Sequence, residues 1–193
     1  MAAAPKNASA PLDVKVALVG GADTGKSSLV RFLKGCNFEK ESEYAMAEHT
    51  CHDSWGITVN IIEWDYEDSK SKTKQKIRFS LWESGGSFLK KFPFYNDYLL
   101  KNSHLIVYMI SLLSDDNPIE RLTTLVQSTR QTWKKTTTQK ITKLNEIVLL
   151  TKADLGLIMS EHVIDGVKDY CKTEGISKMR IIGIPFNDKP VDV

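Results

Sequence analysis

The sequence predicts a single α/β domain built on a six-stranded, mostly parallel sheet, with one antiparallel edge strand and helices on both faces. Three observations lead to this fold class. The chain has 193 residues, of which 41% are hydrophobic, so it can form one domain with a core but is too short for two. Short apolar runs, typical of strands buried on both faces, alternate with segments of helical periodicity. Two early runs are separated by a charged turn instead, which indicates an antiparallel hairpin.

The elements follow in order along the chain. Residues 1–11 are rich in Ala, Pro and Asn, and we expect an unstructured lead there, followed by one domain at residues 12–193. Residues 37–54 form a polar stretch without a clear period, and loops of that length are usually functional. The strands are predicted at residues 13–19, 57–64, 76–82, 104–111, 146–150 and 179–184. A charged turn is predicted at residues 66–75. The helices are predicted at residues 26–35, 92–101, 118–136 and 160–173.

Composition excludes several classes of protein. Lys and Arg total 26 against 24 acidic residues, a formal charge of +2, so no strong positive field indicates nucleic-acid binding. No apolar run approaches the roughly 20 residues that span a bilayer. Neither a secretory signal nor a myristoylation or prenylation signal is present, so we expect no lipid anchor and at most indirect membrane contact. Three cysteines without a framework spacing favour a reducing, cytoplasmic location.

A complete phosphate-loop pattern, G-x-x-x-x-G-K-[ST], occupies residues 20–27, between a predicted strand and a predicted helix. Its glycines let the backbone curl so that N–H groups point at phosphate oxygens, and the positive end of the next helix favours the same anion. We expect Lys26 to reach the β- and γ-phosphates and Ser27 to ligate Mg²⁺. The alternative is a glycine-rich turn with an incidental lysine. The predicted phosphate-binding residues are Gly20, Ala22, Asp23, Thr24, Gly25, Lys26, Ser27 and Ser28.

A second motif, running from Thr151 to Asp154, follows the predicted strand at 146–150. A carboxylate that accepts two neighbouring hydrogen bonds matches the N1–H and N2–H₂ edge of guanine, and adenine lacks this pair of donors. Lys152 can lay its aliphatic stem over the ring plane. Capping of a helix by Asp154 is the alternative. The motif resembles the N/T-K-x-D guanine box of small GTPases.

Residues 81–86 resemble the W-D-x-x-G segment of Rab-like GTPases. The resemblance implies that Glu83 holds Mg²⁺ through water and that the Gly86 N–H meets the γ-phosphate. Ser54, within a stretch that resembles switch one, falls in the position of another Mg²⁺ ligand. The predicted metal ligands are therefore Ser27, Ser54 and Glu83.

Two further matches concern the base and the end of the fold. Phe38 stands at the small-GTPase distance after Lys26 for an aromatic ring packed edge-on against guanine, and packing under a loop is the alternative. A backbone N–H near Gly183 could serve where these proteins carry an S-A-K element. Few residues follow Ile184, so we expect the last helix of the fold to be missing.

The resemblance covers residues 13–184 and is closest to the Rab-like small GTPase of the ciliogenesis and planar polarity effector complex. The run at 77–92 points there, above all residues 89–92. The resemblance implies a P-loop NTPase G domain that binds GTP or GDP with Mg²⁺. It also implies effector proteins bound through the switch regions, including subunits of that complex, and a role in cilium assembly at the basal body.

Three positions depart from the family pattern, and all predict slow hydrolysis. Glu83 replaces the usual aspartate, and Ser87 stands at the position of the glutamine that orients the attacking water. Ala22 occupies a loop position that is often glycine in the family. No catalytic residue is therefore assigned. Two functions remain open: a slow molecular switch or assembly subunit, and a nucleotide-locked module without significant turnover. A P-loop kinase would need a lid of arginines, for which Arg121 and Arg130 are too sparse.

Three other sets of residues allow two interpretations each. They are a metal site or a polar loop at His49, Cys51 and His52; a docking surface or a solvated turn at Lys70, Lys72, Lys74 and Lys76; and effector contacts or core packing at Trp55, Trp64 and Trp82.

Overall fold

The structure is a computed structural model that describes residues 11–35, 55–67, 74–113, 117–138, 143–153 and 161–183. Strands and helices are numbered separately in chain order. The strands are β1 (Leu12–Gly20), β2 (Ile57–Glu67), β3 (Lys74–Ser84), β4 (Leu105–Ser111), β5 (Asn145–Thr151) and β6 (Lys178–Ile181). The helices are α1 (Lys26–Leu33), α2 (Gly86–Lys91), α3 (Tyr95–Leu100), α4 (Pro118–Thr136) and α5 (Glu161–Thr173).

The strands form one sheet in the order β2-β3-β1-β4-β5-β6. Only the β2–β3 pair among them is antiparallel, and the other four pairs are parallel. This confirms the predicted six-stranded sheet with one antiparallel edge strand. The chain runs from β1 outward to both sides, so the strand order reverses between β1 and β4, and the carboxyl end of β5 lies next to that of β4. Crevices at such points are the usual ligand sites of open α/β sheets.

Side chains of β1 alternate between two apolar layers, as the period of two in a strand requires. Val16 and Leu18 pack with Val30 of α1 on one face. Ala17 and Val19 belong to a larger cluster on the other face. The helical members of that cluster are Leu99 and Leu100 of α3, Leu122, Val126 and Trp133 of α4, and Val167 and Cys171 of α5. The sheet is thus covered on both faces.

The helix predicted at residues 92–101 corresponds to α3, which begins three residues later than predicted, at Tyr95. The structure has two six-residue helices, α2 and α3, and α2 lies in a segment predicted as loop. Pro93 separates them, because a residue before proline is displaced from helical geometry, and Phe92 has φ −129° and ψ 68°. Helices this short span too few turns for their apolar residues to show a helical period in the sequence.

The charged turn predicted at residues 66–75 is shorter than expected. β2 and β3 continue to Glu67 and Lys74, which face each other across the hairpin, as Glu63 faces Arg78. Lys74 pairs with Glu67, and Lys76 pairs with Glu63. These acidic partners reduce the positive charge of the lysine row, which favours a solvated hairpin over a docking surface for acidic partners. Lys70 and Lys72 lie outside the described residues.

The other elements begin and end within three residues of their predicted bounds. Several predictions fall outside the described part of the chain: the unstructured lead before residue 11, the loop at 37–54 with its three potential metal ligands, and the missing last helix after residue 183. Within the described ranges, no helix combines the length and apolar character that a membrane span requires.

Candidate functional site

The loop between β1 and α1 curls back on itself at the carboxyl edge of the sheet. Asp23 and Gly25 both have left-handed backbone angles, with φ of 55° and 83°. Gly20 lies so close to β4 that a Cβ there would approach the Met109 carbonyl oxygen to 2.6 Å, so only glycine fits. Gly25 is the residue before α1, whose first residue is Lys26. The loop therefore delivers its backbone to the N-terminus of a helix, an arrangement suited to an anion.

The ammonium group of Lys26 is held inside this curl. Its side chain folds back, and Nζ donates hydrogen bonds to the carbonyl oxygens of Gly20 at 3.1 Å and Gly21 at 2.6 Å. The residue is only 7% exposed. This buried cation gives the loop the positive charge that a phosphate group would meet.

Ser27 and Glu83 bring two oxygen donors together next to the loop. The Ser27 hydroxyl donates to Glu83 Oε2 at 2.9 Å. Burial raises the pKa of the Glu83 carboxyl, against the opposing effects of the Ser27 hydrogen bond and the nearby Lys26 charge. A hydroxyl and a carboxylate in contact fit Mg²⁺, which binds hard oxygen ligands and takes few of them from protein. The described residues hold no group of three or more His, Cys, Asp or Glu that could bind a metal. Ser54 lies outside them.

The end of β5 is fastened to the phosphate loop by two successive residues. Thr151 is buried, and its hydroxyl donates to the Thr24 carbonyl oxygen at 2.9 Å. Lys152 Nζ lies 2.5 Å from Asp23 Oδ2, and the Lys152 backbone is left-handed, with φ 66°. Sequence reasoning assigned Thr151 to the nucleotide, and the structure gives it a contact with the loop backbone that sequence reasoning missed.

Gly86, the first residue of α2, closes the site from the side of β3. A Cβ at this position would overlap the Ala22 nitrogen and would lie 2.5 Å from the Gly21 carbonyl carbon. Both contacts are with backbone, which has little freedom to move away. The approach of α2 to the phosphate loop therefore depends on glycine here.

The remaining predicted site residues are placed as follows. Gly183 is half-buried beside the end of β5, because the neighbouring Ile182 N–H donates to the Leu150 carbonyl oxygen. Ser28 is exposed on α1, and Ser87 is exposed on α2. The predicted base-contacting residues Phe38 and Asp154 lie outside the described residues.

A chain of aromatic rings, here called the aromatic surface, begins next to Gly86. Its members are Trp55, Phe88, Phe92, Phe94, Tyr95 and Tyr98, with neighbouring ring centroids 4.5 to 6.4 Å apart. Trp55 is 74% exposed, so it and the similarly exposed Trp64 are not core residues. Trp82 is half-buried, with Lys15 Nζ 3.8 Å from its ring centroid. Sequence reasoning noted Trp55 but missed the other rings, whose irregular spacing across α2, Pro93 and α3 carries no periodic signal.

Replacing Gly86 by alanine is expected to lower the free energy of unfolding by about 1–3 kcal/mol, because the new methyl group forces two backbone segments apart. Alanine is the better helix former by about 1 kcal/mol, so helix propensity alone predicts the opposite sign. Urea unfolding measures the change. Gly21→Ala is the matched control, since its nearest new contact is an ordinary 3.9 Å. A Gly86→Ala protein as stable as wild type would show that the close approach is not maintained in solution.

Thr151→Val keeps the shape of the side chain and removes its hydroxyl donor. We expect a loss of about 1–3 kcal/mol in unfolding free energy, because the Thr24 carbonyl oxygen loses its partner in a buried position. Thr124→Val is the control, since that hydroxyl bonds to its own exposed helix turn. Equal unfolding midpoints for the two variants would contradict a fastening role for Thr151.

Comparison with protein-family models and with curated protein sequences finds no match. Comparison with solved structures finds significant similarity to 839 chains, so the fold is shared too widely to specify a function by itself. One of these structures is Methanosarcina barkeri Roco2 RocCORdC bound to GDP, with a TM-score of 0.51 and 21% sequence identity. The match covers 90% of this chain but only 44% of the Roco2 chain. The similarity and the sheet topology together show that the chain has the α/β fold of a P-loop NTPase.

Proposed function

We propose that this chain is a GTP- and GDP-binding protein of the small-GTPase type that acts as a molecular switch or assembly subunit and hydrolyses GTP slowly. The observation that supports this most is the double link between the phosphate loop and the end of β5, from Thr151 to Thr24 and from Lys152 to Asp23. It links the phosphate loop to the first two residues of the motif for which the resemblance implies guanine binding. The GDP in the Roco2 structure of similar fold is consistent with this proposal.

Each residue has a role in this proposal. Backbone N–H groups of residues 20–25 and the ammonium group of Lys26 bind the phosphates. The aliphatic stem of Lys152 covers one face of the base, and Asp154 accepts hydrogen bonds from its N1–H and N2–H₂ edge. Phe38 and the Gly183 N–H complete the base site.

The metal part of the site is proposed for Mg²⁺. Ser27 and Glu83, already in contact, would hold it together with Ser54. When bound, Mg²⁺ neutralises charge on the β- and γ-phosphates. Glu83 also fixes the orientation of the Ser27 hydroxyl by accepting its hydrogen bond.

Slow hydrolysis follows from the side chains near the phosphate end. Phosphoryl transfer depends on positioning and charge stabilisation, and the attacking water needs a side chain that orients it. The Ser87 hydroxyl is on a one-carbon stem, too short to replace the longer amide of glutamine. The additional methylene of Glu83 changes the reach of its carboxylate relative to aspartate.

The aromatic surface is the proposed site for effector proteins. Gly86 touches the phosphate loop and begins the helix that carries Phe88, so a change at the γ-phosphate position is transmitted directly to these rings. We propose that partners bind here, in the cytoplasm, and that they include subunits of a ciliogenesis and planar polarity effector complex at the basal body. The resemblance of residues 77–92 is the support for that identity.

A nucleotide-locked module without significant turnover is the second candidate. The close approach of Gly86 to the Ala22 backbone supports it, because a backbone-to-backbone contact holds α2 against the loop in one position. A surface of fixed shape would suit a permanent assembly subunit.

The nucleotide content of purified protein and its single-turnover hydrolysis test these proposals. A slow switch is expected to retain GDP and to convert loaded GTP slowly. Retention of GTP without conversion would favour the locked module. A folded protein that neither retains nor binds a guanine nucleotide would refute both, and a rate like that of an efficient GTPase would refute slow hydrolysis.

A further inference from the structure

Asp23 places a negative charge on a loop whose other features favour anions. It is the only acidic residue at positions 20–28, and its side chain is 73% exposed. The left-handed backbone at this position directs the chain through the curl three residues before Lys26. A phosphate group bound by the loop would therefore meet a carboxylate as well as the amides and Lys26, and like charges at short range repel.

The ion-pair partner of Asp23 in the described structure is Lys152, whose side chain is largely buried. Lys152 belongs to the motif that we assign to the base. Its ammonium group contacts the phosphate loop, so its stem reaches from the end of β5 to that loop. A nucleotide bound there would meet two opposing effects of Asp23: its charge would repel phosphates, and its pairing with Lys152 would hold that side chain at the loop.

We infer that Asp23 weakens the binding of guanine nucleotides in proportion to their phosphate charge and so speeds their release. The inference rests on the proposed binding of guanine nucleotides. Repulsion grows with the number of phosphates, whereas the position of the Lys152 stem matters equally for every guanosine compound. Asparagine at this position keeps both an oxygen that accepts from Lys152 and the tolerance for left-handed backbone, and removes only the charge.

The test compares wild type with Asp23→Asn, using GTP, GDP and guanosine as ligands in Mg²⁺ buffer. We expect the dissociation constant for GTP to fall by about tenfold, that for GDP to fall less, and that for guanosine to stay the same. Release of GTP and GDP should slow accordingly. Because the repulsion is between partly exposed charges, the gain should shrink when ionic strength is raised.

Asp13→Asn is the matched control. It removes the same charge near the opposite end of β1, where Asp13 lies 3.6 Å from Arg78, and it should leave all three affinities unchanged. Equal or weaker GTP binding by Asp23→Asn, or an equal gain for guanosine, would overturn the inference while leaving guanine-nucleotide binding intact. Failure of wild type and both variants to bind GTP or GDP would overturn the proposed function and this inference with it.

Discussion

Lys26→Ala is expected to raise the dissociation constant for GTP by about two orders of magnitude or more, the largest effect of any single change in the site. The ammonium group is buried within the loop and hydrogen-bonded to the carbonyl oxygens of Gly20 and Gly21. Its removal takes away the buried positive charge that a triphosphate would contact. Alanine favours helix, so α1 should still begin at the same place.

Lys34→Ala serves as the control for this prediction. Lys34 follows the last turn of the same helix and is exposed, with its ammonium bonded to Asn60 on β2. Equilibrium binding of GTP, with thermal unfolding to verify that both variants fold, separates the effect of position from that of charge. A folded Lys26→Ala protein that binds GTP with wild-type affinity would contradict phosphate binding by this loop.

Arg130→Ala is expected to cost about 3 kcal/mol of unfolding free energy, the largest loss of stability we predict. Arg130 on α4 donates three hydrogen bonds to the Glu146 carboxylate at the start of β5, at 2.7, 2.9 and 3.2 Å. It donates two more to Glu174 after α5, at 2.6 Å to the carboxylate and 2.8 Å to the backbone carbonyl oxygen. The buried hydroxyl of Tyr108 donates to the same Glu146 carboxylate at 2.7 Å. Without the guanidinium, a carboxylate that is only 6% exposed loses its compensating charge.

Urea denaturation checks this prediction, with Lys168→Ala as the control. The Lys168–Asp165 pair lies within one turn of α5 and is exposed on both sides, so its loss should leave the unfolding midpoint unchanged. If Arg130→Ala lowers the free energy of unfolding no more than Lys168→Ala does, the hydrogen bonds of Arg130 do not stabilise the fold.

Local patterns were enough to predict most of the sheet and the phosphate loop. Strands buried on both faces are nearly continuous apolar runs, and the loop needs glycines and a lysine at fixed spacing. Both signals lie within about ten residues of chain. The start of α3 after Pro93 could also have been predicted, since proline and the residue before it disfavour helix.

The contacts that join the site could not be predicted in this way. Thr24 and Thr151 are 127 positions apart, and Asp23 and Lys152 are 129 positions apart. Such bonds depend on how the carboxyl ends of β1 and β5 are aligned in the folded sheet, which no local period encodes. The roles of Phe38, Ser54 and Asp154 stay predictions from the sequence.

Competition for the site by GTP and ATP, measured in Mg²⁺ with wild type and Asp154→Asn against a fluorescent GDP probe, tests the central claim most directly. We predict that wild type releases the probe at a GTP concentration at least about 100-fold lower than that of ATP, because the carboxylate finds two donors only on guanine. Asp154→Asn should lose that preference. ATP as effective as GTP on wild type, or an undiminished preference in Asp154→Asn, would contradict guanine recognition by this chain.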